Sequence, residues 1–178
     1  MTDPFQSASG AVATAVPAGD PFAQPASSLF PKVDQLGGRL LLIKPKLIEV
    51  VPKPAEFGGK PGETQERVTA DVVVLDGGEI VGEEAPTKFS DMYISQQSLV
   101  GVLKGALRQN TATLGRLFQF PVKADAATYP TRQALAEARA AWLAAGAVGQ
   151  APRYTWKLEE FMPADAEVAR EWLKSNTI

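Results

Sequence analysis

Two lysines that flank a proline interrupt an apolar stretch of the sequence, GGRLLLIKPKLIEV, residues 37–50. Lys44 and Lys46 are two positions apart, so in a β-strand both side chains would project from the same face. Residues 31–60 hold six basic and three acidic residues, although the whole chain has a net charge of −2. This local excess predicts a positive groove, and ammonium groups in such a groove bind the phosphates of nucleic acids. Alternatively, the two lysines protect a strand edge against aggregation.

Aromatic residues on the predicted strands could stack on the bases of a nucleic acid whose phosphates lie in this groove. Single-strand binders combine a cationic groove with aromatic side chains on which successive bases stack. Phe120 is a further candidate. Aromatic residues on strands are also common in cores, which is the alternative for each candidate. Arg108 and Lys123 could lengthen the groove. The predicted nucleic-acid-binding set is Arg39, Lys44, Lys46, Arg67, Tyr93, Lys104, Arg116, Phe118, Tyr154 and Trp156.

Two amino-acid types are missing from the chain, and their absence limits the chemistry. The sequence has no Cys and no His, so thiol catalysis, thiolate or imidazole metal sites and a Ser-His-Asp triad cannot be built from it. It also lacks the glycine-rich motifs of mononucleotide and dinucleotide sites. Carboxylates such as Asp71, Asp76 and Glu79 could serve a small hydrolase, but turn chemistry already explains these positions. We therefore expect no enzyme activity, no catalytic residues, no metal site and no cofactor.

The composition favours one compact domain after a polar tail. The 178 residues are 45% hydrophobic and 21% charged, and no apolar run is long enough to span a membrane. Residues 1–30 are rich in Ala, Ser, Pro and Gly without periodicity, which predicts a disordered tail before a single domain, residues 31–178. The N-terminal sequence does not resemble a signal peptide, so a cytoplasmic location is expected. Asp3-Pro4-Phe5 and Asp20-Pro21-Phe22 are either docking motifs for replication or recombination proteins or a chance repeat.

The order of the predicted elements favours an OB-fold, a partly open five-stranded barrel. A helix is expected between the third and fourth strands, an inserted Ala-rich helix before the fifth, and a helix at the C-terminal end; the class is α+β, mainly β with helices. Ser95 is the expected N-cap of the first helix, and Pro45 is expected where the ladder of the first strand is interrupted. The predicted strands are 38–52, 66–76, 89–94, 113–123 and 153–158, and the predicted helices are 95–110, 131–145 and 163–175.

Five segments together resemble a family of small proteins from phages of actinobacteria, described as single-stranded-DNA-binding or OB-like proteins. They are GGRLLLIKPKLIEV, VTADVVVLDGG, YISQQSLVGVLKGAL, TLGRL and WKLEEFMPADAEVAREWL, spread over residues 31–178. The resemblance implies single-stranded DNA binding in phage replication or recombination, in the host cytoplasm. A homo-oligomer is possible in such a protein, and no membrane partner is expected. The alternative is a phage structural or assembly protein, or a protein-binding adaptor, with no nucleic-acid role.

Overall fold

The computed structural model describes residues 30–55 and 58–178 of the chain. The predicted tail, apart from Phe30, and both Asp-Pro-Phe tripeptides lie outside the described residues. Within the described ranges, none of the helices combines the length and the apolar character needed to cross a membrane.

Five antiparallel strands form one open sheet. Their order across the sheet is β3-β2-β1-β4-β5, so β3 and β5 are the two edges. The predicted α+β class and the five predicted strands are confirmed, but β3 and β5 do not pair and the sheet is open, so the predicted OB-fold-like barrel is not confirmed. The strands are β1 (Leu40–Pro52), β2 (Thr64–Val74), β3 (Thr87–Ile94), β4 (Thr113–Pro121) and β5 (Tyr154–Glu159).

Three α-helices follow the predicted order: α1 (Gln97–Arg108) between β3 and β4, α2 (Arg132–Ala144) between β4 and β5, and α3 (Pro163–Ser175) after β5. Thr131 caps α2, because its hydroxyl accepts a hydrogen bond from the Ala134 N–H. The prediction that Ser95 caps α1 is wrong: Gln96 holds that position, without a side-chain cap. In α1, Val100 is buried and Val102 is exposed.

The main core lies between the sheet and α1. In β2 the residues Val68, Ala70, Val72 and Val74 all face this core, as their alternation predicts. Leu99 and Leu103 of α1 pack against them. Residues Val33–Leu36 form a short 3-10 helix whose Leu36 joins the same core. Other members of this core are Leu41, Ile43, Ile80, Phe89, Met92, Ile94, Val100, Leu117 and Trp156.

A smaller core on the opposite face lies under α3. Leu40 and Leu42 of β1 and Val73 of β2 pack there with Ala169 of α3, and Trp172 packs against them. Residues Leu40 to Ile43 are consequently buried on both faces of the sheet. A run of four consecutive apolar residues is the expected sequence for such a segment.

A β-bulge in β1 explains why Lys44-Pro45-Lys46 interrupts the apolar run. Pro45 is opposite Ala70 and Leu47 is opposite Thr69, so Lys46 is an extra residue in the ladder. Proline has no N–H to donate, and a bulge is one of the few places in a sheet that accept it. The predicted interruption at Pro45 is confirmed.

Arg116 joins α3 to the sheet. Its guanidinium Nη2 lies 2.7 Å from Asp165 Oδ1, and its Nη1 lies 2.7 Å from Asp76 Oδ2. Asp165 is buried at the start of α3 and also accepts the backbone N–H of Met162. The hydrogen bond from Arg116 outweighs burial and lowers the pKa of Asp165 below its usual value.

We predict that Arg116→Ala lowers the free energy of unfolding by about 2–4 kcal/mol, because it leaves a buried carboxylate without its cation. Urea denaturation would measure the loss. The matched control is Arg170→Ala on the exposed side of α3, which should change stability by no more than about 0.5 kcal/mol. Equal stability of the two variants would contradict this role of Arg116.

Candidate nucleic-acid interface

One face of the sheet is only partly covered by α3. Beyond the residues that α3 covers, β1, β2 and β3 present a second stretch of the same face, which we call the open sheet surface. It includes two exposed apolar side chains, Leu47 (52% exposed) and Tyr93 (61% exposed). The surface consists of Lys46, Leu47, Glu49, Arg67, Thr69, Asp71, Lys88, Asp91 and Tyr93.

Both lysines of the interrupted stretch are held by neighbouring groups of the protein. Lys44 Nζ donates to the carbonyl oxygen and to Oδ1 of Asn110, at 3.0 and 3.1 Å. Lys46 Nζ lies 2.5 Å from Asp71 Oδ1 and 2.9 Å from Asp91 Oδ1. The hydrogen bond that Lys46 donates to Asp71 raises the pKa of Lys46. A phosphate would have to compete with these partners for either ammonium group.

Asp71 is the centre of an ion-pair cluster on the open sheet surface. Its side chain is only 5% exposed and pairs with Lys46 and with Lys88, whose Nζ is 3.2 Å from Oδ2. Burial raises the pKa of Asp71, but hydrogen bonds from Lys46, from the Asp91 N–H and from Lys88 outweigh it and hold the pKa below its usual value. The lysines thus compensate a buried carboxylate.

Arg67 and Tyr93 also contact each other on this surface. The Arg67 guanidinium carbon is 4.1 Å from the centroid of the Tyr93 ring, and Nη2 is 2.9 Å from Glu49 Oε2. The open sheet surface therefore carries three basic and three acidic side chains, all of them in ion pairs. It is close to neutral, which does not suit a polyanion.

Three further predicted cations have structural partners. Arg39 donates to the backbone carbonyls of Gln35, Gly78 and Glu79, and so holds the turn after β2. Lys104 of α1 pairs with Glu66 at 2.7 Å. Arg116 anchors α3, as described above. Among the residues that the structure describes, none of the three shares a partner with Lys44 or Lys46.

The two predicted aromatic residues of β5 lie on the α1 side of the sheet. Trp156 is 7% exposed within the main core, so its ring cannot offer a face to a base. Tyr154 packs edge-to-face against it with ring centroids 5.9 Å apart, and the Arg139 guanidinium carbon lies 4.2 Å from the Tyr154 centroid. These contacts favour the core role for Trp156.

A different groove lies on the other face of β4 and β5, away from α1. It is next to the connection between these strands, which contains α2. We call it the cationic groove; it has a volume of about 600 Å³. Phe120 lies in it with Lys157 Nζ 5.5 Å from the ring centroid. No carboxylate is among its lining residues, which are Phe120, Pro121, Lys123, Ala126, Pro130, Thr131, Arg132, Thr155 and Lys157.

The cations of this groove are less engaged than those of the open sheet surface. In the part of the chain that the structure describes, Lys123 and Lys157 form no ion pair and no side-chain hydrogen bond. Arg132 lies over the Phe118 ring, with its guanidinium carbon 3.7 Å from the ring centroid, and pairs with Glu159 at 2.9 Å. Of the predicted set, Phe118 therefore adjoins the cationic groove.

Sequence reasoning missed Arg132 and Lys157. The signal that could have revealed Lys157 is the alternation of β5, combined with the pairing of Lys157 opposite Phe118 and Thr155 opposite Phe120. That pairing depends on which strand neighbours β4 and in which register. Neither can be read from β5 alone.

The carboxylates considered for hydrolysis do not converge. Asp71 pairs with lysines, Asp76 accepts the Leu40 N–H and pairs with Arg116, and the Glu79 carbonyl accepts Arg39. Among residues 30–55 and 58–178, no three Asp, Glu, His or Cys side chains are arranged to hold a metal ion.

Comparison of the chain with protein-family models, with curated proteins and with solved structures found no match. The resemblance to actinobacteriophage proteins therefore stays an expectation drawn from sequence motifs. The surfaces described above are the observations from which a function can be proposed.

We predict that Asp71→Asn lowers the free energy of unfolding by about 1–2 kcal/mol at neutral pH, because an amide cannot pair with Lys46 and Lys88. The pKa of Asp71 is lower in the folded chain than in the unfolded one, so its ion pairs stabilise the fold above the unfolded pKa. This contribution is lost as the pH falls through the folded pKa, below about pH 4.

Urea unfolding from neutral pH to about pH 3 tests this. The difference between parent and variant should shrink on acidification, since Asp71 of the parent then becomes neutral, as the amide of the variant is at every pH. Asp34→Asn at an exposed position is the control and should change little at either pH. A difference that stays constant with pH would show that Asp71 does not act through its charge.

Proposed function

We propose that this protein binds single-stranded DNA, without enzymatic activity, and that the strand lies in the cationic groove. The observation that carries the proposal is the lining of that groove: Lys123, Arg132 and Lys157 surround Phe120, and no carboxylate is among them. The expected setting is phage DNA replication or recombination in the host cytoplasm. That setting comes from the resemblance of the sequence motifs alone.

Electrostatics favours the cationic groove over the open sheet surface. Binding to a polyanion gains free energy when a cation replaces condensed counterions on a phosphate. A lysine without an ion pair can do this at no internal cost, as at Lys123 and Lys157. To bind a phosphate, Lys46 would have to separate from Asp71. This nearly buried carboxylate would then have Lys88 as its remaining lysine partner.

The aromatic residues favour a single strand over a duplex. Phe118 and Phe120 follow each other on the same side of β4, each with a cation above its ring. Bases can stack on aromatic rings or on guanidinium planes only when they are unpaired. Duplex DNA of the same length should therefore bind more weakly.

Strand order supports an OB-like interpretation of the sheet. The order β3-β2-β1-β4-β5, with a helix between β3 and β4, is that of an OB barrel opened between β3 and β5. The connection between the fourth and fifth strands is one of the two loops with which OB-folds commonly bind oligonucleotides. Lys123 and Arg132 belong to that connection.

The open sheet surface favours a second candidate function, that of a protein-binding adaptor. Leu47 and Tyr93 are exposed there among balanced charges, which suits a protein partner better than a polyanion. A second copy of the chain would be one such partner. This candidate does not require the cationic groove.

Two double variants of equal charge change test the proposal. Lys123→Ala with Lys157→Ala should weaken binding to oligo-dT and reduce the slope of log affinity against log salt by about 1.4, at about 0.7 per phosphate contact. Lys44→Ala with Lys46→Ala should leave affinity nearly unchanged but lower stability, because Asp71 loses a partner. Fluorescence anisotropy at several salt concentrations gives the affinities.

Two results would contradict the proposal. One is a parent protein that does not bind oligo-dT in a salt-dependent way. The other is a reversal of the two variants, with binding lost in the Lys44 and Lys46 variant and kept in the Lys123 and Lys157 variant. The reversal would move the site to the open sheet surface.

A further inference from the structure

A second groove adjoins the cationic groove and shares Arg132 with it. We call it the apolar groove; its volume is about 340 Å³. That volume is at the lower end of the range for small-ligand pockets, about 300–1,000 Å³. It is lined by Gly37, Gly38, Leu117, Phe118, Gln119, Arg132, Gln133, Leu135, Ala136 and Trp156.

We propose that the apolar groove is a nucleobase site: it takes one unpaired base of the strand whose phosphates lie in the cationic groove. This inference rests on the proposed function, and deepens it by assigning base and phosphate to separate grooves. Arg132 is the wall between the two, so a nucleotide can place its phosphate on one side and its base on the other.

The floor of the apolar groove is buried and apolar, which suits a stacked nucleobase ring. Leu117 and Leu135 are fully buried, and Trp156 contributes the edge of its ring. Gly37 and Gly38 also line the groove, and they have no side chains to fill it. A Cβ atom at Gly37 would lie only 3.3 Å from Trp156 Cη2, and Gly38 has a φ of +77°, a conformation that favours glycine.

Arg132 offers a planar surface on which a base can stack. Its guanidinium carbon lies 3.7 Å from the centroid of the Phe118 ring, and Nη1 lies 2.9 Å from Glu159 Oε2, so two partners hold the group in place. The Arg132 side chain is 41% exposed, so part of it is accessible to a ligand. Stacking of bases on arginine planes is a common mode of single-strand recognition.

Two amides stand where the edge of the base would be. Gln133 Nε2 donates to Glu137 Oε1 at 2.9 Å, which leaves its Oε1 as an acceptor. The Gln119 side chain forms no hydrogen bond within the described residues. Both can exchange hydrogen bonds with a base edge, whereas an apolar ligand would leave them unsatisfied.

Variants of two alanines on α2 test this site. Ala136 lines the apolar groove, and Ala140 lies one turn further along the exposed side of the same helix. Ala136→Leu fills the groove and leaves Lys123 and Lys157 unchanged, while Ala140→Leu adds the same volume outside it. Circular dichroism verifies that both variants fold, and Arg132→Lys provides an independent variant that keeps the charge but loses the plane.

The measurement compares oligo-dT with an abasic deoxyribose-phosphate strand of equal length and charge. The parent and Ala140→Leu should bind oligo-dT about tenfold more tightly than the abasic strand. Ala136→Leu and Arg132→Lys should bind oligo-dT nearly as weakly as the parent binds the abasic strand. The slope of log affinity against log salt should be unchanged.

The two levels of the hypothesis fail in different ways. If the parent binds both strands equally in a salt-dependent manner, the nucleobase site is wrong and the phosphate groove stands. If Ala136→Leu keeps the full preference for oligo-dT, the base lies elsewhere and the assignment to this groove is overturned. If the parent binds neither strand, the proposed function fails and the nucleobase site fails with it.

Discussion

The fold depends on the hydrogen bonding of β1 along both of its edges. Residues Leu40 to Ile43 pair with β4 on one side, and from Leu41 the strand pairs with β2 on the other. From Lys44 onward β1 pairs with β2 alone, and the bulge at Lys46 bends it there. The sheet consequently divides into two halves, β1-β2-β3 and β4-β5, which are joined by four residue pairs between β1 and β4. Each half presents its own surface on the side of α3.

This division separates two uses of positive charge. In the first half, a nearly buried carboxylate, Asp71, requires compensation, since an unpaired charge in that position would be strongly destabilising. Lys46 and Lys88 provide it and are then poorly suited to bind phosphate. In the second half no buried carboxylate draws on Lys123 or Lys157. A chain with a net charge of −2 can therefore carry a cationic groove, because most of its charges neutralise one another elsewhere.

Local patterns predicted the elements well, and the partners of side chains poorly. The alternation of β2, the four-residue apolar run of β1 and the interruption at Pro45 each depend on neighbours along the chain, and all three were confirmed. The cap expected at Ser95 was wrong by one residue. A partly open barrel was predicted, but not that β3 and β5 remain unpaired, because closure depends on contacts between distant segments. The ion pairs of the predicted cations were missed for the same reason. They join side chains from different helices and strands, and the sequence of one element does not show which others lie beside it.

The inserted helix α2 packs against β4, and its first residues line both grooves beside β4 and β5. Leu135 buries against the sheet and brings the first turn of α2 over Phe118, while most of the helix stays exposed. Pro130 and Thr131 line the cationic groove, so α2 begins at its wall. A helix N-terminus carries a partial positive charge, which adds to that of the lysines. The same insertion thus supplies Arg132, which lines both grooves, and a positive field where we propose that a phosphate binds.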